Sequence, residues 1–364
     1  MTLNGDAARR VLEDAVGRRV FPGAAAEAGT SAGEPWSGVT GHLTYEPGSP
    51  RVHPGTIYDL ASLTKVISTT SLAMRLVGRG ALSLEAPVSA WMPEWREGAY
   101  ADVRVRDLLD HSAGLAGFLP LFKTHKGREQ FRRAIAALPP EYPPRQGTIY
   151  SDLGFIVLGH VIESVSGEGL DALFQAFHAE AGLPASLGYP PVAQADARVA
   201  QAFRPASPDI APTEFDAWRG RLLAGEVHDE NAFALGGAAP HAGLFGTAGD
   251  VGAFGRLVLK TFREETALGT PELMRTFARR STVPGSSRAL GWDTMMPTSS
   301  CGTRMTPQAI GHTGFTGTSL WIDPARDLYF VLLSNRVHPA RDQNRVRIQN
   351  ARRAFHDALL SHGN

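Results

Sequence analysis

The sequence predicts a mixed α/β (α+β) fold, on three observations. Strand-like stretches stand at both ends of the 364-residue chain, a long middle reads mainly as helices and loops, and helical segments open and close the whole. The chain is long enough for a sizeable core and usually for two lobes. With 36 basic residues against 36 acidic ones it is formally neutral, so composition points to neither nucleic acid nor a membrane surface as partner. No apolar run approaches the ~18 residues that span a bilayer. The N-terminal residues have no apolar core before a small-residue cleavage site, so a cytoplasmic location is expected. Cys301, the single cysteine, excludes an internal disulfide and a cysteine-based metal site.

Taken in order, Asp6 to Arg19 carries an apolar stripe (Ala8, Val11, Leu12, Ala15, Val16) and predicts an amphipathic helix. Phe21 to Ala28 and Ser37 to Tyr45 follow as strands. Gly29-Thr30-Ser31-Ala32-Gly33, between them, spells Gly-x-Ser-x-Gly, but strand-like residues follow it where a nucleophile elbow needs a helix. A hairpin turn is the expectation there. A buried helix is predicted from Ser62 to the Gly78-Arg79-Gly80 stop, because Val66, Ile67, Leu72, Ala73, Met74, Leu76 and Val77 cover most of its circumference. Asp110-His111-Ser112-Ala113-Gly114 reads as the end of a short helix in a glycine turn. Gln130 to Leu138 is a helix closed by prolines. Another apolar helix runs through Val165, with Ser151 or Asp152 able to cap it. Residues 181–245 resist assignment. Ala248 to Thr261 and Pro271 to Arg279 are helical, and Ser319 to Pro324 and Leu328 to Asn335 are strands joined at Arg326-Asp327. Arg345 to His362 closes the chain as a helix.

The chemistry centres on Ser62-Leu63-Thr64-Lys65. Residues three apart on a helix share a face, so the Ser62 hydroxyl and the Lys65 amine lie within reach of each other. Ser62 also stands at the positive end of the helix, where a developing oxyanion is stabilised. Burial is expected to lower the Lys65 pKa and so make it a base. Tyr150, at the turn before an apolar helix, is a second candidate for proton transfer, its pKa expected to fall beside the lysine. Each reading competes with a plainer one: an accidental Ser-x-x-Lys, or a tyrosine merely packed at a helix start. His228, Asp229 and His241 invite a metal reading, but no close helical His pair accompanies them, so turns or a pocket wall are expected.

Ser62-x-x-Lys65, Tyr150-Ser151-Asp152 and His312-Thr313-Gly314, in that order and spacing, resemble the serine β-lactamase and penicillin-binding-protein superfamily. The likeness is to its class C branch, with D-Ala-D-Ala carboxypeptidases, D-aminopeptidases and Ser-x-x-Lys esterases. It extends over nearly the whole chain, through Leu108 to Leu115, His241 to Phe245 and Ser334 to Pro339. The resemblance implies a β-lactamase/transpeptidase-like fold: an antiparallel sheet flanked by the terminal helices (residues 1–60 and 282–364) with a mainly helical lobe (61–281) inserted. The active site is implied at the junction. Carried over, Ser62 is the acylated nucleophile, Lys65 and Tyr150 share acid–base duty, and the N–H groups of Ser62 and Phe315 form the oxyanion hole. Asp152, His312, Thr313 and Gly314 border the substrate. No cofactor or metal is implied, and oligomeric state is left open.

Two departures bear on substrate. Asp152 stands where the family usually has Asn, and a carboxylate accepts hydrogen bonds without donating any. His312 stands where a lysine usually opens the third motif, which weakens the expected hold on a substrate carboxylate. A serine hydrolase acting on a small ester or amide is therefore expected, with esterase activity first. A β-lactamase or D-Ala carboxypeptidase/D-aminopeptidase is the enzymatic alternative, and a non-catalytic ligand-binding relative the alternative from another class.

Overall fold

The computed structural model describes residues 3–190, 209–341 and 345–361. Its frame is a six-stranded antiparallel sheet. The strands run in the spatial order Trp36–Gly41, Gly23–Gly29, Leu328–Ser334, Ser319–Asp323, Ile310–Thr313 and Asp293–Thr294. Both ends of the chain therefore build one sheet, with the first strand in the chain pairing directly with the last: Ala26 lies opposite Leu332 and Ala28 opposite Phe330.

Alternation along the strands explains why this sheet is covered on both faces. Side chains on a strand point alternately up and down. Leu328, Phe330 and Leu332, with Ala24, Ala26 and Ala28, pack against the terminal helices Gly5–Gly17 and Arg345–Leu359 through Leu12, Ile348, Phe355 and Leu359. Tyr329, Val331 and Leu333, with Ala25, face the other way and join Val251, Phe254 and Val258 of helix Ala248–Thr261. That helix falls within the 61–281 segment expected to form the helical lobe, yet it covers the sheet. Its apolar stripe matches the sheet face, and Gly252 and Gly255 let Tyr329 approach closely. Across the strands the large pair Phe330 and Trp321 is flanked by small residues, Ala28 opposite Phe330 and Gly311 opposite Trp321.

The rest of the middle is helical. Its centre is Asp152–Ser166, whose Ser151 cap accepts from the Gly154 N–H at 3.0 Å and whose end is closed by left-handed Gly167 (φ 75°). Around it pack Val105–Leu109, Gly127–Ala136 and Leu170–Glu180. The last of these had no counterpart in the sequence reading. At the Gly-x-Ser-x-Gly site the chain turns between strands as expected. Ser31 is held there by Asp327, with Oγ to Oδ2 at 2.9 Å, and accepts from Arg263. Among the described residues no single helix is long and apolar enough to cross a membrane.

Candidate active site

The chain reaches Ser62 through a tightly fastened turn. Tyr58–Asp59 pairs with Phe245–Gly246, and Leu60 N–H donates to the Leu244 carbonyl. Asp59 Oδ1 accepts the Ala61 N–H at 2.8 Å, which holds Ala61 at φ 48°, a left-handed conformation uncommon for an alanine. Ser62 follows just before the first helical residue. The helix then winds as a π-helix over Lys65–Thr70 before relaxing to α over Ser71–Gly78. Single π turns of this kind gather at functional sites. Residues 65–74 are all buried, as the apolar pattern predicted.

Lys65 is fully buried and its Nζ donates three hydrogen bonds: to Ser62 Oγ at 3.0 Å, Asp152 Oδ1 at 2.7 Å and the His241 carbonyl at 3.0 Å. Three acceptors around one nitrogen is the environment of an ammonium. Burial is the largest influence on this group and favours the neutral amine, but the Asp152 carboxylate, with Tyr150, outweighs it. The Lys65 pKa ends above its ordinary value. The expected lowering is therefore corrected: desolvation operates, and an ion pair overrides it.

The Tyr150 phenol behaves likewise. Its hydroxyl is buried without a hydrogen bond of good geometry, and its ring lies 4.9 Å from Lys65 Nζ. Burial raises the phenol pKa, the lysine pulls it down, and Asp152 pushes it up again; the net shift is upward. The lysine's effect has the expected sign and loses. His111 positions this tyrosine. Its Nδ1 accepts the Ser151 N–H at 3.0 Å, its carbonyl accepts from Ile149 N–H, and its ring packs at a tilt against Tyr150, centroids 4.8 Å apart. That Nδ1 bond puts the ring proton on Nε2. Ser112, its neighbour, donates to Asp110, so both side chains serve local structure as expected.

The strand Ile310–Thr313 brings His312, Thr313 and Gly314 to the same cleft, a cavity of about 380 Å3 lined also by Ser62, Tyr150 and Phe315. His312 Nδ1 donates to the Thr313 carbonyl at 2.9 Å, which in the neutral ring leaves the lone pair on Nε2. Burial, then Arg288 and Lys65, push its pKa well below the ordinary value. Among the described residues neither the Ser62 N–H nor the Phe315 N–H has a hydrogen-bond acceptor. The Phe315 carbonyl is held by Arg336 Nε at 2.9 Å, and its ring stacks on His228 at 5.6 Å. Arg352 donates to the carbonyls of Gly314 and Thr318, which steadies this corner.

Arg288 was missed by sequence reasoning. It lines the cleft with its guanidinium 4.8 Å from the Tyr150 ring centroid, and its side chain makes no hydrogen bond or ion pair among the described residues. Its segment lacks regular structure; the one available signal was the missing lysine at 312, which calls for a cation from elsewhere. The His241 carbonyl was missed too, being a backbone group. The suspected metal residues are otherwise engaged. His241 Nε2 meets Asp229 at 2.9 Å, and His228 Nε2 meets Glu214 at 2.9 Å. Among the described residues no group of three or more ligating side chains is arranged around a metal position.

Comparison with known proteins places the fold in a family. The β-lactamase family profile matches residues 8–354. A putative D-alanyl-D-alanine carboxypeptidase of Escherichia coli K12 is 32% identical over 320 residues, covering 78% of this chain and 70% of that one. An N-acetylmuramyl-L-alanine amidase of Bacillus subtilis is 30% identical over 309 residues, covering 78% and 68%. Among solved structures, a class C β-lactamase from Rhodobacter sphaeroides superposes with TM-score 0.73 at 20% identity, covering 98% of this chain and all of the other. The chain therefore belongs to the β-lactamase family, within the serine β-lactamase and penicillin-binding-protein superfamily of serine hydrolases.

Proposed function

We propose that the protein hydrolyses a small ester or amide through an acyl-enzyme on Ser62. The observation that carries this reading is the 3.0 Å contact of Lys65 Nζ with Ser62 Oγ at the wall of a cleft shared with Tyr150. Ser62 Oγ attacks the substrate carbonyl carbon, and the carbonyl oxygen takes up the negative charge between the N–H groups of Ser62 and Phe315. The Tyr150 phenol, kept protonated, supplies a proton to the leaving group as the carbon–leaving-group bond breaks. Water then repeats the attack on the acyl carbon and frees Ser62. Thr313 and Gly314 lie along the substrate, with His312 behind them. Esters are the substrates expected to react first, since an alcohol leaves more readily than an amine.

Changing Ser62→Ala tests the assignment. Turnover of p-nitrophenyl acetate is expected to fall at least about a thousandfold, and the mass adduct left by an acylating inhibitor should vanish. Unchanged turnover in the variant would remove Ser62 from the mechanism. A wild-type chain that takes no adduct would favour the ligand-binding alternative.

A second reading, peptidase-like amide hydrolysis, is favoured by the charge of the cleft. Four arginines line it (Arg288, Arg336, Arg345 and Arg352), against one acid, Asp293. A carboxylate beside the scissile bond suits that field, and the uncommitted Arg288 guanidinium offers the donors that neutral His312 does not. The names of the carboxypeptidase and amidase relatives point to amide substrates of the same kind. Arg288→Gln is expected to raise KM for a carboxylate-bearing D-Ala peptide about tenfold or more, with little change for the neutral ester. Equal loss on both substrates, in parallel steady-state assays, would count against carboxylate recognition.

A further inference from the structure

The resting arrangement leaves Ser62 without a free base. Lys65 Nζ has all three protons committed, and Tyr150 is a neutral phenol whose hydroxyl, close to Lys65 and Ser62, makes no hydrogen bond of good geometry. Two open acceptors lie near. One is the Nε2 lone pair of His312, reached through Tyr150, whose ring lies 5.6 Å away. The other is the Asp152 carboxylate, reached through Lys65. Charge decides between them. Arg288, Lys65 and Arg352 all act on His312, so an imidazolium there would gather a further positive charge among three others. Protonating Asp152 from Lys65 instead turns an ion pair into a neutral amine and carboxylic acid. Low-dielectric surroundings penalise the neutral pair far less than they would an isolated charge.

We propose that Asp152 is the terminal acceptor of the Ser62 proton, with Lys65 as the relay. This rests on the acyl-enzyme reading above. As Ser62 Oγ bonds to the carbonyl carbon, Lys65 Nζ gives a proton to Asp152 Oδ1 and takes the Ser62 proton in its place. The tetrahedral intermediate then forms beside an ammonium and a protonated carboxyl. When the leaving group departs with the Tyr150 proton, the Asp152 proton returns through Lys65 to Tyr150, and the ion pair is restored. Protons balance with no outside base. The carboxylate at 152 in place of the family's usual amide gives this chain an acceptor that an amide cannot be. Substrate sitting over the cleft further dries Asp152, whose side chain is only 17% exposed.

The consequence is a particular pH dependence. Ion pair and neutral pair are tautomers with the same number of protons, so their ratio does not change with pH. The groups facing the pair are Tyr150, His111, His312 and Arg288, with Asp229 behind His241. Of these, His111 and His312 are held neutral, their pKa values well below the ordinary range, the Tyr150 phenol is kept protonated by its raised pKa, and the Asp229 carboxyl is held well below its ordinary range. If Lys65 instead had to lose its proton to solvent, acylation would climb about tenfold per pH unit between about pH 6 and about pH 9, because its pKa is raised.

Stopped-flow acylation by p-nitrophenyl acetate from about pH 6 to about pH 9, with the Ser62→Ala background subtracted, tests this. The wild type is expected to be flat. Asp152→Asn should instead show a rate that rises with pH, through the pKa of a lysine that burial, no longer offset by the carboxylate, holds below its present value. Asp152→Glu should regain a flat profile. A wild-type rate rising throughout overturns the proposal, as does an Asn variant with the wild-type rate and a flat profile. The wild-type profile alone decides if the Asn variant does not fold. Absence of any burst sensitive to Ser62→Ala fails the acyl-enzyme reading itself, and is recognised separately by the missing Ser62 adduct.

Discussion

Replacing Lys65 with Met is expected to slow Ser62 acylation by a thousandfold or more while leaving the fold intact. Methionine fills the space of the aliphatic stem beside Phe155, so the π-helical turn keeps its packing. The three contacts of Nζ, to Ser62, Asp152 and the His241 carbonyl, all disappear. Loss of the group that moves the proton accounts for ~10²–10⁴ of the rate, and loss of the hold on Ser62 adds to it. Stability should fall by roughly 2–3 kcal/mol, at or below the usual cost of breaking a buried pair, because Asp152 keeps some contact with water. Pairing Lys65→Met with Asp152→Asn separates the two effects. The double variant is expected to recover most of the melting temperature and none of the activity. Burst kinetics and thermal melts read both, and acylation within tenfold of wild type in the single variant would exclude Lys65 from proton transfer.

The parts of this site that were readable in the sequence are those whose geometry is local. Ser62 and Lys65 meet because three residues make nearly a helical turn, and Tyr150 stands where it does because Ser151 caps the helix that follows. Four of the six strands were readable as strand-like runs near the two ends of the chain, and the N-terminal helix through its apolar stripe. The signs of the Lys65 and Tyr150 pKa shifts were not. Each is a difference between burial and a carboxylate, and Asp152 lies 87 residues from Lys65 along the chain. No local pattern reports how such a sum comes out. Asp152 was noted as a possible helix cap, as a residue bordering the substrate and as a departure from the usual amide, and the ion pair it makes appears only when the helices are packed.

The same distinction separates His312 from Arg288. The histidine announces itself within a motif, whereas Arg288 lies in an irregular stretch and acquires meaning by lying against Tyr150. The π turn over Lys65–Thr70 is a third instance, since an apolar run of that length reads equally well as ordinary α-helix. The glycine turn after His111 was expected to be structural, and it is. What the sequence reading lacked was the partner, the backbone N–H of Ser151 forty residues on.

Gly314→Ala is expected to damage the site through its backbone and to cost about a hundredfold in kcat. A Cβ at this position would lie 2.0 Å from Thr318 Oγ1, 2.6 Å from the Leu60 carbonyl and 3.2 Å from Ala61 Cβ. The strand edge and the turn before Ser62 are thus in direct contact there, and only a residue without a side chain permits it. Thr318 Oγ1 donates to the same Leu60 carbonyl at 3.0 Å, and Arg352 Nη2 clamps the Gly314 and Thr318 carbonyls from behind, so the segment has little room to retreat. Whatever shift relieves the clash must widen the gap between the Ser62 turn and the Phe315 N–H. Misplacing one oxyanion donor costs ~10²–10³ in rate. Overpacking at this buried corner should lower stability by about 1–3 kcal/mol. Adding Thr318→Ala removes the side-chain clash but leaves the one with the Leu60 carbonyl, so the double variant is expected to stay slow. Recovery of kcat in that double variant would show that a side chain, and not the approach of two backbones, sets the geometry beside Ser62.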